Sequence, residues 1–132
     1  MVLDSSAIIA ILLKEPEAIQ FAEAIEDSDT TLLSAASLLE ASIIIESRLG
    51  PEGARDLDLF VYRAEIEIVP VDREQVEIAR TAWRKYGKGR HPAGLNYGDC
   101  FSYALAKATG EQLLFKGNDF SGTDLGAPAQ TI

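Results

Sequence analysis

The 132-residue sequence predicts an α/β fold: a single domain, residues 1–132, with a central, mostly parallel, twisted sheet and helices on both faces. Three observations predict it. Short apolar runs alternate along the chain with longer segments of helical pattern. Residues that cap or stop helices stand at most of the junctions. A hydrophobic fraction of 47% and a charged fraction of 25% describe a globular chain with one core rather than a disordered one.

Val2-Leu3 opens a short strand that stops at Asp4. Ser5 and Ser6 are N-cap types, and Ala7 to Lys14 reads as helix. Pro16 suits the first turn of a second helix, through about Glu26. Thr31 to Leu33 is a strand, and Ser34 or Ser37 opens a helix that runs to Leu49, where Gly50-Pro51 ends it. Residues 52–64 form a further helix with Leu57, Phe60 and Val61 on one face. Ile66 to Val71 is a β-branched strand. Asp72 caps the next helix, with Gln75 in the capping-box position and an apolar face of Val76, Ala79 and Trp83. Residues 87–98 are a glycine-rich loop, Asp99 to Ala108 a helix, Leu113 to Phe115 a strand, and Gly117 to Phe120 a turn. Strands that alternate with helices give a parallel sheet with right-handed crossovers.

In such sheets ligands bind beyond the carboxyl ends of the strands, where strand order reverses. Four acids fall there. Asp4 directly follows the first strand, and Asp119 lies just beyond the last. Asp99 starts the helix that leads into the last strand, and Glu40 sits in the early turns of the helix after the second. Each has a plainer reading: Asp4 as an N-cap, Glu40 as half of a buried ion pair, Asp99 as a charge on a helix dipole, Asp119 as a turn former. Together at one sheet edge they read as a carboxylate site. Clustered carboxylates repel, and a divalent cation resolves the repulsion. Oxygen-only ligands favour magnesium, with manganese as the alternative, and there is no Cys/His set for zinc. Such a metal commonly serves the hydrolysis of phosphate esters. Cys100 reads as core, and His91 as a solvated loop residue or an RNA contact.

The net charge is −9, yet it is unevenly spread. Residues 1–72 hold 4 basic and 15 acidic side chains, whereas residues 73–132 hold 8 and 6. Six of the 12 Lys and Arg lie between Arg73 and Arg90, so a local field can attract a polyanion or form only a solvated face. A lone cysteine, no secretory pattern and no long apolar run suggest the cytoplasm and no membrane partner.

The motifs around the acids resemble those of the PIN-domain family, and within it the VapC toxins. Val2-Leu-Asp4-Ser5-Ser6-Ala7 resembles the first motif and Ser37-Leu-Leu-Glu40 the second. Leu95-Asn-Tyr-Gly-Asp99-Cys-Phe101 resembles the third, and Leu113-Leu-Phe-Lys-Gly-Asn-Asp119-Phe120 the fourth. The resemblance spans essentially the whole chain. It implies a metal-dependent endoribonuclease that hydrolyses RNA with a metal-activated water, a homodimer held inactive by a VapB-like antitoxin. By the same resemblance Asp4 and Asp99 match the metal ligands, Glu40 and Asp119 complete the site, and Ser6 matches the hydroxyl that supports the first Asp. Lys88, Arg90 and Lys116 join Ser6 as substrate-binding or supporting residues. One departure stands out: many relatives carry Thr near the position of Phe115 and an acid at that of Gly117, so only Asp119 remains of that pair, with Asp124 as a substitute. The apolar stretches 7–13 and Ile43 to Ile45 are the expected interfaces. The antitoxin is expected to bring a basic residue near Asp4 and Asp99. Two rivals are a silent binding domain on the same scaffold and an aspartyl phosphatase of the haloacid-dehalogenase type. The second wants an acid where Ser6 stands.

Overall fold

The computed structural model describes residues 1–126; the last six positions of the expected domain lie outside the described residues. Four short strands form one sheet: β1 (Val2–Leu3), β2 (Leu32–Ser34), β3 (Glu67–Val69) and β4 (Leu113–Leu114). Their order is β3-β2-β1-β4, and every pairing is parallel. Strand order therefore reverses between β1 and β4, which opens a crevice beyond their carboxyl ends.

Side chains alternate across the strands and divide the interior in two. Leu3, Leu33 and Leu114 face α1 (Ser5–Leu12), α2 (Ala18–Glu26) and α3 (Ala35–Arg63). Val2, Leu32 and Leu113 face α4 (Arg73–Tyr86) and α5 (Tyr97–Thr109). Helices thus cover both faces. The α3 span is two helical arms broken at Gly50, whose φ of 67° suits glycine, with Pro51 behind it.

Several local expectations shift. Asp4, not Ser5 or Ser6, caps α1, by accepting from the Ser6 N–H. Helix α5 starts at Tyr97 because Asn96 caps it, in a reciprocal capping box with Asp99. Strand β3 is shorter than its β-branched run. The stretch 7–13 proves to be core: Ala7, Ile8 and Ala10 are fully buried, and Ile9, Ile11 and Leu12 pack against the same cluster. The face of α4 also turns. Its buried residues are Gln75, Ala82 and Tyr86, while Val76, Ala79 and Trp83 line an open cleft of about 600 Å³ against Tyr97, Cys100 and Phe101.

Candidate active site

The crevice at the β1/β4 switch point collects the acids, and local chemistry fixes each one. Asp4 ends β1 and is buried. One of its oxygens accepts from the Ser6 N–H at 3.1 Å and the other from the Ser102 hydroxyl at 2.6 Å. Asp99 occupies the first turn of α5, where Oδ2 accepts the Asn96 N–H at 3.0 Å while the Asn96 side chain accepts the Asp99 N–H at 2.9 Å. Asp4 caps α1 and Asp99 completes the capping box of α5, so both serve a helix N-terminus as well as the acidic site.

Asp99 reports the crowding. Its carboxyl is pushed up to about 8, foremost by burial, against the lowering effect of the Asn96 bond, with repulsion from Asp4 and a hydrogen bond to Asp119 raising it further. Asp4 and Asp119 thus both bear on Asp99. Glu40 joins from α3: its Oε1 accepts from the Ser5 hydroxyl at 2.7 Å, and its carboxylate rests on the bare Cα of Gly98. Among the described residues none of these four acids takes part in an ion pair. Asp124 is spent elsewhere, accepting from the Tyr103 hydroxyl and from Lys107, each at 2.6 Å. Those two partners, with burial opposing, hold its carboxyl below the ordinary value.

The PIN-domain family model matches residues 1–125. The chain belongs to the PIN-domain family. A VapC ribonuclease of Mycobacterium bovis is 53% identical over 129 residues, 98% of each chain. A VapC ribonuclease of Mycolicibacterium smegmatis is 55% identical over 127 residues, 96% of this chain and 98% of its own. A toxin–antitoxin complex from Klebsiella pneumoniae shares the fold, with a TM-score of 0.73 at 15% identity over 94% of this chain and 92% of that one. Within the family this chain is a ribonuclease of the VapC type.

The supporting residues of this PIN-domain site differ from expectation. Ser6 reaches Asp4 through its backbone N–H, while its hydroxyl accepts the Lys116 N–H at 3.0 Å and so ties the start of α1 to the end of β4. The hydroxyl on Asp4 comes from Ser102, and the one on Glu40 from Ser5. The Lys116 ammonium does not stand free for substrate; it pairs with Glu15 at 2.9 Å and Glu17 at 3.3 Å. The bond to Glu15 foremost, and then that to Glu17, raise its pKa against the opposing effect of desolvation. Lys88 and Arg90 are exposed, and the Arg90 guanidinium lies 4.5 Å from the Trp83 ring centre. The thiol of Cys100 is raised by burial and then by Asp99, the wrong direction for a nucleophile. His91 accepts the Ala93 N–H at Nδ1, 2.9 Å away, and contacts the Tyr86 ring edge-on.

The donor chemistry suits a hard divalent cation. All candidate ligands are carboxylate oxygens, and burial plus like charge make Asp99 reluctant to ionise without a cation beside it. Among the described residues no three His, Cys, Asp or Glu side chains form a cage by themselves. Magnesium commonly takes one or two carboxylates and keeps several waters, so a sparse site fits it better than calcium or zinc. Also among the described residues, no helix is long and apolar enough to cross a membrane.

Proposed function

We propose that the chain is a magnesium-dependent endoribonuclease, the toxin of a toxin–antitoxin pair, with manganese as an alternative cation. The observation that carries this reading is the convergence of Asp4 and Asp119 on Asp99 with no Lys or Arg paired to them among the described residues. Membership among the VapC ribonucleases supports it.

Asp4 and Asp99 hold the cation in this reading, and Glu40 and Asp119 complete the negative site. A bound magnesium supplies Lewis-acid activation of the phosphoryl oxygen and of a water nucleophile. The Ser5 hydroxyl and Gly98 aim the Glu40 carboxylate, and Asn96 anchors Asp99 from behind. Lys88 and Arg90 hold the RNA backbone, which positions a substrate without reading its sequence.

The same reading makes the protein a homodimer controlled by a small antitoxin. Leu39, Ile43 and Tyr97 are 61%, 58% and 81% exposed, and apolar side chains of this kind are candidates for burial against a partner. The antitoxin places a basic residue against the free acids, where it competes with the cation; the kinship of fold with a toxin–antitoxin complex supports such a partner. RNA cleavage by the purified protein, with and without magnesium, tests the activity. Sedimentation tests the dimer: a strict monomer at micromolar concentration refutes it.

A further inference from the structure

Two buried serines form a chain beneath Asp4. The Ser102 hydroxyl lies 2.6 Å from Asp4 Oδ1, and the Ser37 hydroxyl lies 3.2 Å from that of Ser102. Both serines are shut off from solvent. An ionised carboxylate only accepts, so the single proton of Ser102 goes to Asp4. The Ser102 oxygen is then left to accept from Ser37. With Asp4 in the ionised form that a cation needs, the order of donation is Ser37 to Ser102 to Asp4.

Their placement follows helical spacing. Ser37 precedes Glu40 by three residues on α3, and Ser102 follows Asp99 by three on α5. Residues three apart share a helix face. Each helix that brings an acid to the crevice therefore also brings a hydroxyl beneath the acid of β1. With the Ser6 N–H on the other oxygen, two of the roughly four lone-pair positions of Asp4 are taken from the protein side.

We propose that Ser102, backed by Ser37, is a positioning residue for Asp4: it fixes the carboxylate for a divalent cation without adding a positive charge that would repel that cation. A lysine or arginine there could orient Asp4 equally well, but it would neutralise the site. Hydroxyls orient and leave the charge in place. Partners behind a ligating group commonly tune metal affinity in this way.

The inference rests on the metal reading, so its test measures binding and not turnover. Mn2+ affinity is measured by titration calorimetry on the purified protein without RNA, for wild type, Asp4→Asn, Ser102→Ala and Ser37→Ala. Thermal melts check each fold. The expected result is Asp4-dependent binding in wild type, weakened roughly 10-fold in Ser102→Ala and about threefold in Ser37→Ala. Ser37→Ala added to Ser102→Ala is expected to weaken binding no further, because Ser37 acts only through Ser102. Wild-type affinity in a folded Ser102→Ala protein with a lowered melting temperature overturns the proposal, since the serine is then merely structural. If Ser102→Ala does not fold, Ser37→Ala decides: threefold weakening supports the chain, and unchanged affinity overturns it. No Asp4-dependent Mn2+ binding in wild type defeats the metal reading itself, and this inference with it.

Discussion

A methyl group at position 98 would stand 2.5 Å from Glu40 Oε2, 2.8 Å from Oε1 and 2.9 Å from Cδ. Ordinary contact for such atoms begins near 3.5 Å, so Gly98→Ala must drive the carboxylate back by roughly 1 Å. The Ser5–Glu40 bond, 2.7 Å long, cannot survive that shift unchanged. Two opposing terms act on stability. Alanine is better than glycine inside a helix by about 0.5–1 kcal/mol, whereas losing a hydrogen bond to a charged group costs about 1.5–3 kcal/mol where water cannot replace it. Glu40 is half-exposed, so water does replace part of it. The net change should be on the order of 1 kcal/mol, a few degrees in melting temperature for a domain of this size. Misplacing a reacting group by 1 Å, by contrast, costs about 100-fold in rate, or ~2.7 kcal/mol of barrier. Cleavage of an end-labelled RNA at saturating magnesium, beside thermal melts, separates the two effects. The expected outcome is a folded protein with about 100-fold slower turnover, and no further loss when Gly98→Ala is added to Glu40→Ala. Near-wild-type cleavage by the single variant refutes the idea that Gly98 exists to seat Glu40.

Asp99→Asn should abolish cleavage and also flatten the pH dependence of stability in the metal-free protein. The folded pKa of about 8 lies above the ordinary carboxyl value of 3.8, so between those limits the folded state binds the extra proton and ionisation of Asp99 destabilises the fold as pH rises. Wild type should therefore lose melting temperature relative to Asp99→Asn from pH 4 to pH 8, and added magnesium should restore more at pH 8 than at pH 6; parallel curves contradict this. Replacing Lys88 and Arg90 together with alanine should lower the salt slope of RNA binding by roughly 0.7 for each lost phosphate contact, and an unchanged slope excludes them. Lys116→Ala should leave that slope alone, because its ammonium is held by Glu15 and Glu17, and should change stability little, as solvent-screened ion pairs do; a reduced slope would return Lys116 to the RNA surface.

The acids were legible because of where they stand. Asp4 directly follows an apolar strand and Glu40 stands in the early turns of the helix after one, while Asp99 opens the helix that leads into the last strand and Asp119 lies in the turn beyond it, so topology carries all four toward one sheet edge. The alternation of short apolar strands with helices along the chain was enough for a parallel sheet covered on both faces. The hydroxyls were not legible. Ser37 and Ser102 sit inside apolar helices, where periodicity marks a position as buried but says nothing of its partner; only the packing of α3 and α5 against β1 joins them. Gly98 read as part of a loop, because its role is a missing Cβ beneath a side chain 58 residues earlier. Ser6 and Lys116 were noticed as residues, but their bonds depend on the β1/β4 juncture. The face of α4 misled because Val76, Ala79 and Trp83 have the spacing of a core stripe yet border an open cleft.

The central claim is that the carboxylate cluster is a metal-dependent RNA hydrolase. Cleavage-site mapping on total RNA, with wild type beside Asp4→Asn in magnesium and in EDTA, tests it most directly. Wild type should make discrete cuts that require magnesium, carry no 2′,3′-cyclic phosphate, and vanish with Asp4→Asn. The same cuts in EDTA, or by folded Asp4→Asn protein, would contradict it.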